Sequence, residues 1–383
     1  MVGTRFGGKM LAIVLLLICL PARGGETVTF GVITALTGNN VMVGEFIKNG
    51  ATLAQKHINE RGGILGKELK LVFEDEVDNL QSSVNAMTKL LNNPEIIAFF
   101  GSTYSSYCIA ISPMVLEKKM TMLAGGSSAN IPKEKNPYVW QARMTDDKSG
   151  LLLAKTATEV LNLKNPAIVF IADSFGTGLK DQTVLAFEKL GFTINPKNIY
   201  AHNPDEKQFG PIISQIQHSD VDSLIAITHQ MPASIFCMQV EAAGLDIPLL
   251  GSPSFSSVVV MNTAGPAANG WYAVTDWTPE VTTPTGKAFT DAYRAEYPGK
   301  PDPDLTAVVP YESVMLFAEA CRIAGSTTDR EAINQAFTKL KAFKGAMTTY
   351  TYAEDHCLAT SQFLTFTEDQ KPLVKEIVFV REP

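Results

Sequence analysis

The chain has 383 residues, with 39 acidic against 32 basic side chains, a formal net charge of −7 and 45% hydrophobic content. That length and apolar fraction are enough for two ordinary domains, each with its own core. An acidic chain with no Lys/Arg cluster is a poor partner for nucleic acid, so the expected partner is a small molecule.

At the N-terminus, Arg5 and Lys9 precede the apolar run 10-MLAIVLLLICL-20, and 21-PARGG-25 supplies small residues for cleavage. Residues 1–25 therefore read as a secretory signal peptide. The apolar run is roughly half of the ~20 residues a membrane span requires. Ile18, before Cys19, lacks the small side chain of a lipid-attachment box, so the expected product is a periplasmic protein without a lipid anchor. Cleavage also removes Arg5, Lys9 and Arg23 and leaves the mature chain more acidic still.

The mature chain then alternates strand and helix patterns. 28-VTFGVIT-34 reads as a buried strand, and Phe46, Ile47, Gly50, Leu53, Ala54, His57 and Ile58 recur at helical spacing up to the stop signal Arg61-Gly62-Gly63. A strand at 68-ELKLVFED-75 leads to a helix through Val84, Met87, Leu90 and Leu91 that ends before Pro94. Two serine-rich turns follow, 101-GSTYSSY-107 after 96-IIAFF-100 and 124-AGGSSA-129 after 120-MTML-123. At the carboxyl ends of parallel strands, such turns place the unpartnered N–H groups of the next helix where they can hold an anion. They read as two halves of a carboxylate cradle; the alternative is that the serines only cap helices and form turns.

After Pro137 the pattern restarts, with strands at 166-PAIVFIAD-173, 223-SLIAIT-228 and 248-PLLGS-252 and helices near 176–190, 207–218 and 231–244. The last third carries helices near 284–297, 306–325 and 329–340 and short strands at 348-TTYTY-352 and 374-VKEIVFV-380. The expected fold class is α/β, with two doubly wound lobes of parallel sheet joined by a multi-strand hinge. Lobe 1 is expected over 26–145 plus 277–352, and lobe 2 over 146–276 plus 353–383. The crossings are expected at 141-QARMTDD-147, 273-AVTDWTP-279 and 352-YAEDHC-357. Several crossings make a hinge suited to closure around a ligand.

Catalytic signatures are missing: the chain has no GxSxG elbow, Walker A loop, GxGxxG or HExxH. His57, His202, His218, His229 and His356 are scattered, and Ser105 has no base near it in sequence, so no enzymatic activity is expected. Of the mature cysteines, Cys108 and Cys237 read as buried packing, and a disulfide between Cys321 and Cys357 is the first expectation for an oxidising compartment. No metal or other cofactor is expected, since His356 beside Cys357 cannot close a tetrahedral site alone.

The run of VTFGVITALTG, 59-NERGGILGKELKLVFEDE-76, GSTYSS, GGSSA, 138-YVWQARMTDD-147, 173-DSFGTG-178 and 241-EAAGL-245 resembles the periplasmic solute-binding proteins of the leucine/isoleucine/valine-binding type. These are type I periplasmic binding proteins that deliver ligands to ABC importers, and the resemblance covers essentially all of the mature chain. It implies an ABC permease as partner; the chain is expected to be a monomer. It also implies that Ser105, Gly126 and Ser128 hold a ligand carboxylate, with Thr103, Tyr104 and Ser127 on the same wall. From the second lobe it places Phe175 and His229 over the ligand. The alternatives are packing of Phe175 against the hinge and capping by His229 of the helix that follows it.

One departure bears on the ligand. Amino-acid binders of this type carry an acidic residue after the strand ending 249-LLGSPSF-255, to pair with the ligand ammonium; that place here is Pro253. A buried ammonium without a carboxylate costs on the order of several kcal/mol. The expected ligand is therefore a carboxylate without an α-amino group, with Tyr104, Phe175, Phe255, Trp140 or Trp277 as aromatic walls. Two alternatives stay open: Asp276 or Asp173 supplies the missing acid and restores amino-acid binding, or the ligand is an amide or urea. A role as sensor for a membrane receptor is a further alternative to import.

Overall fold

The computed structural model describes residues 27–379 apart from 39, 78, 134 and 135, together with residues 1 and 3. The segment read as a signal peptide, Cys19 included, thus lies outside the described residues except for Met1 and Gly3. Among the described residues, no helix is long and apolar enough to cross a membrane.

The first sheet contains β1 (Thr27–Thr34), β2 (Glu68–Asp75), β3 (Ile96–Phe100), β4 (Thr121–Ala124) and β5 (Val139–Gln141), all parallel, in the order β2-β1-β3-β4-β5. Its crossovers are α1 (Val41–Glu60), α2 (Leu80–Asn92), α3 (Ser105–Lys118) and the one-turn α4 (Asn130–Lys133). β1, β3 and β4 are buried almost throughout, which is why they read as unbroken apolar runs rather than alternating ones. α1 turns the predicted stripe of Phe46, Ile47, Gly50, Leu53, Ala54 and Ile58 inward, while His57 stays at the edge. It stops at Gly62 and Gly63, whose φ values of 91° and 76° are left-handed.

The chain leaves this sheet after β5 and builds a second one through α5 (Asp146–Lys155), β6 (Pro166–Ile171), α6 (Ser174–Lys189), β7 (Ile199–His202), α7 (Gly210–Gln217), β8 (Ser223–Ile227), α8 (Gln230–Ala242), β9 (Leu249–Gly251), α9 (Val258–Ala264) and β10 (Trp271–Thr275). It then returns to supply α10 (Pro284–Glu296), α11 (Leu305–Ala324), α12 (Arg330–Ala336) and a ribbon of β11 (Phe343–Lys344) with β12 (Thr349–Tyr350). The last crossing ends in β13 (Ser361–Glu368) and β14 (Lys371–Phe379), which close the second sheet in the order β14-β13-β10-β9-β8-β6-β7. β13 pairs antiparallel with both β10 and β14, and the rest of that sheet is parallel.

α11 belongs to the first sheet's core, with Val308, Leu316, Phe317 and Cys321 buried beside Phe30, Phe46 and Leu53. It lies so close to α1 that a Cβ on Gly50 would fall 1.9 Å from the carbonyl oxygen of Ala307.

Four expectations need correction. β7 and β13 were not anticipated. The strand expected at 348–352 shrinks to two residues, because its neighbours bend into a crossing. Residues 271–275, partly read as a crossing, form β10. Among the described residues all four cysteines are free and buried, so Cys321 and Cys357 are not bridged. Cys321 sits inside α11, whereas the Cys357 thiol faces the Arg143 carbonyl at 3.4 Å.

The three crossings are stitched together. Gln141 and Cys357 form a parallel bridge, with the Gln141 N–H donating to the His356 carbonyl and the Leu358 N–H to that of Gln141, both at 2.9 Å. The buried Asp276 accepts from the Met144 N–H and the Gln362 amide, both at 3.2 Å, and pairs with Arg143 at 2.5 Å.

Candidate functional site

Where the two sheets face each other across the crossings, their carboxyl-terminal turns enclose a cavity of about 430 Å³ including its open mouth. Thr103, Tyr104, Ser105 and Ser127 border it from the first lobe and Phe175, His229 and Pro253 from the second. These seven come from five separate turns in sequence, each following a strand of one of the two sheets. Gly126 and Ser128 stand behind the first-lobe wall.

Ser105 opens α3, where the first N–H groups have no acceptor within the helix. Its hydroxyl oxygen accepts from the Ser128 N–H at 3.1 Å, which leaves the hydroxyl proton available to a ligand. The two serine turns are therefore joined by a hydrogen bond. Gly126 makes this approach possible, because a Cβ there would lie 2.7 Å from Ser105 Cα; its carbonyl accepts from the Gln141 amide at 3.0 Å. The Ser128 side chain is fully buried and its hydroxyl accepts from the Asn130 N–H at 3.3 Å, a capping role for α4. Of the two readings for these serines, Ser105 meets the cavity and the Ser128 hydroxyl caps a helix.

Ser127 accepts the Asp146 N–H on its carbonyl at 2.8 Å. The Asp146 carboxyl is wholly buried, and desolvation drives its pKa up to about 7 in spite of the Ser127 hydroxyl and the Arg143 charge, which act the other way.

Across the cavity, Asp173 caps α6 by accepting the Gly176 N–H at 2.8 Å, and its other oxygen meets His229 Nε2 at 2.8 Å. Burial alone would raise the Asp173 pKa, but the His229 contact and the Gly176 and Phe175 N–H groups outweigh it and hold the carboxyl below its ordinary range. Phe175 stacks on His229 with ring centroids 5.1 Å apart and an interplanar angle of 23°, while Tyr104 meets the same imidazole edge-on at 5.3 Å. His229 occupies the N-cap position of α8 without a side-chain cap bond, so its ring serves this cluster rather than the helix. Outside the cluster the cleft widens into a chamber bordered by Tyr107, Met231 and Ile235 and by the charged Asp173, Asp205, Glu206 and Lys207.

Three expected aromatic walls lie elsewhere. Phe255 stacks on Trp271 at 4.3 Å, Trp140 on His356 at 4.0 Å, and Trp277 packs edge-on against Phe289 at 5.4 Å. All three are core residues, held there by apolar neighbours. Asp276 and Asp173, the two acids offered for a ligand ammonium, are committed to Arg143 and His229. Among the described residues, no acidic side chain borders the inner cavity.

Sequence reasoning missed Arg143, Gln230, Ser254 and Leu305, which complete the wall. Gln230 and Ser254 adjoin residues that were singled out. Arg143 sat in a segment read as a crossing and as part of the family resemblance, with no role given to the arginine itself; a lone basic residue among small and polar ones was the available signal. Leu305 arrives from the returning helix α11, which no local pattern ties to the cleft.

The lobes touch at two places, one partly exposed and one wholly buried. The Ser174 N–H points to the Ser106 hydroxyl at 3.4 Å, and the Ser257 hydroxyl donates to the Asp304 carboxylate at 2.5 Å. This is a closed arrangement. Among the described residues, no cluster of three metal-ligating side chains is present.

The family model for periplasmic binding proteins matches residues 27–369. The Leu/Ile/Val-binding protein BraC3 of Rhizobium johnstonii is 26% identical over 337 residues, covering 88% of this chain and 90% of the relative. An amino acid binding protein of Pseudomonas aeruginosa is 26% identical over 314 residues, 80% of this chain and 81% of the relative. A leucine-binding protein from Thermotoga maritima superposes with a TM-score of 0.84 at 20% identity, over 92% of this chain and 99% of its own. A solute-binding protein of an ABC transporter from R. palustris, solved with benzoate, gives a TM-score of 0.82 at 18% identity, over 92% of this chain and 96% of its own.

Proposed function

The chain belongs to the periplasmic binding protein family, with the type I fold of the leucine-binding proteins, and from this premise we propose that it captures a small carboxylate for an ABC importer by hinge closure. The ligand in this reading lacks an α-amino group. The observation that carries it is the inner wall: Pro253 stands on it, Asp173 and Asp276 are already paired, and a guanidinium rather than a carboxylate faces the space. A ligand ammonium placed against that wall would meet no acidic side chain of the inner cavity, which is unfavourable for a buried charge. A relative of the same fold solved with benzoate fits this class of ligand.

Binding starts on the first lobe, where Ser105 and the N-terminus of α3 receive the anion. Phe175 and His229 then arrive from the second lobe and cover it. Ligand contacts to both lobes favour the closed arrangement over the open one, and the closed form is the one that presents both lobes together to a permease. The charged, apolar and small-residue order of residues 1–25 supports export to the periplasm.

The names of the Leu/Ile/Val-binding relatives favour a second reading, an aliphatic amino acid. A thermal-shift screen of the mature protein separates the two, because a ligand bound only by the folded state raises its melting temperature. Stabilisation by aliphatic or aromatic acids, with little from leucine, isoleucine or valine, is expected; stabilisation by those amino acids alone would overturn the first reading.

A further inference from the structure

We propose that Arg143 is the charge-reading residue of the cleft, and that it selects a ligand with a planar carboxylate over the neutral amide of the same shape. The inference rests on the carboxylate reading above and names the group that enforces it.

Arg143 lies on the first crossing, between β5 and α5, and borders the inner cavity together with Ser105 and Ser127. It is 7% exposed. One terminal nitrogen is fixed by Asp276 at 2.5 Å, and the other reaches the Gly125 carbonyl at 3.4 Å. Nε is buried without a hydrogen-bond partner and is out of reach of the cavity, so the donors open to a ligand are the remaining N–H groups of the two terminal nitrogens. A guanidinium has five N–H donors in a rigid fork, so these contacts leave donors unused in a place where an unpaired donor is unfavourable. A carboxylate is the group that satisfies such a fork, since it accepts two parallel N–H bonds at once. An amide offers one acceptor and turns a donor pair toward the same nitrogens.

Asp276 is what holds the fork in place. It also accepts from Met144 and Gln362, so the guanidinium is held by the residues that tie the crossings together. The Arg143–Asp276 pair is neutral as a unit. An anion entering beside it finds the unused N–H donors of the guanidinium and the helix N-terminus at Ser105, whereas an α-ammonium, which is all donor, finds no acceptor on that face.

Titration calorimetry with benzoate against benzamide, and 4-methylpentanoate against 4-methylpentanamide, tests the inference. The wild type should prefer an acid to its amide by at least tenfold. Arg143→Lys keeps a positive charge beside Asp276 but lacks the fork, and the double variant Arg143→Gln with Asp276→Asn removes the pair together; each should bring the acid-to-amide ratio to about threefold or less. A retained tenfold preference in either folded variant overturns the role of Arg143 and leaves the carboxylate reading intact. Equal binding of acid and amide by the wild type overturns the role of Arg143 without any variant and returns the amide alternative to the ligand's identity. Absence of any acid binding by the wild type removes the carboxylate reading and this inference with it.

Discussion

Ser105 and Ser128 look equivalent in sequence, each in a serine-rich turn, but their surroundings divide the work. Ser105→Ala removes a hydroxyl donor beside the proposed anion and should weaken carboxylate binding by about 1–2 kcal/mol, roughly 5–30-fold, in a calorimetric titration. Ser128→Ala keeps the N–H that positions Ser105 and removes only the α4 cap, so it should cost about 0.5–1 kcal/mol of stability and change affinity little. Equal losses of affinity in the two variants would contradict this division. Pro253→Asp restores an acid at the wall and should raise leucine affinity relative to 4-methylpentanoate; an unchanged ratio would remove Pro253 from the account. Turn residues were legible at this scale because their types are restricted by backbone geometry. Arg143 was not, because nothing local distinguishes a cleft arginine from a surface one, and its meaning comes from Asp276, 133 positions away.

At the scale of elements, closure is a matter of which helix ends meet. Asp304 caps α11 from the first lobe by accepting the Thr306 N–H at 2.8 Å, and it takes the Ser257 hydroxyl from the second lobe. Ser257→Ala leaves the buried Asp304 carboxylate short of one donor only when the lobes are closed. The open form should therefore gain on the closed one by about 1–2 kcal/mol, seen as a larger radius of gyration in solution scattering and a matching loss of ligand affinity. Identical scattering for variant and wild type, with and without ligand, would rule out this latch. The helices and parallel strands were readable from periodicity and apolar runs. β13 was missed although Phe363 and Leu364 are buried, because the polar residues around them, Ser361, Gln362 and Thr365, are buried too and blur the pattern. Gln362 is buried so as to reach Asp276 and the Ser149 hydroxyl, so the hinge network masks the strand signal.

For the whole molecule, three buried carboxyls, those of Asp146, Asp304 and Glu312, are raised by burial and set a pH dependence. Burial raises the pKa of Asp146 to about 7 at the hinge and that of Glu312 to about 7 in the first lobe. A raised folded-state value means that the folded chain keeps a proton the unfolded chain releases. Their contribution is fully present below about pH 4, declines as the pH rises, and is lost above pH 7. His57 and His202, whose pKa values are lowered chiefly by burial, oppose this trend up to their ordinary range near 6.5. The difference between Asp146→Asn and wild type isolates the effect: the variant should gain in melting temperature relative to wild type between pH 4.5 and pH 8. A difference that does not change with pH would mean Asp146 titrates normally. The α/β class and the paired sheets followed from the repeated strand-helix pattern, which local propensity and burial both impose. The cleft's own chemistry did not, since it is assembled from turns whose partners are far apart in the chain.

In the proposed function, the closed cleft holds a carboxylate without an ammonium beside it. The most direct measurement is titration calorimetry of the mature protein with leucine and with 4-methylpentanoate, which share the carbon skeleton and differ only in the α-amino group. 4-Methylpentanoate should bind at least tenfold more tightly. Tighter binding of leucine would contradict it and require a counter-charge for the ammonium in the bound state.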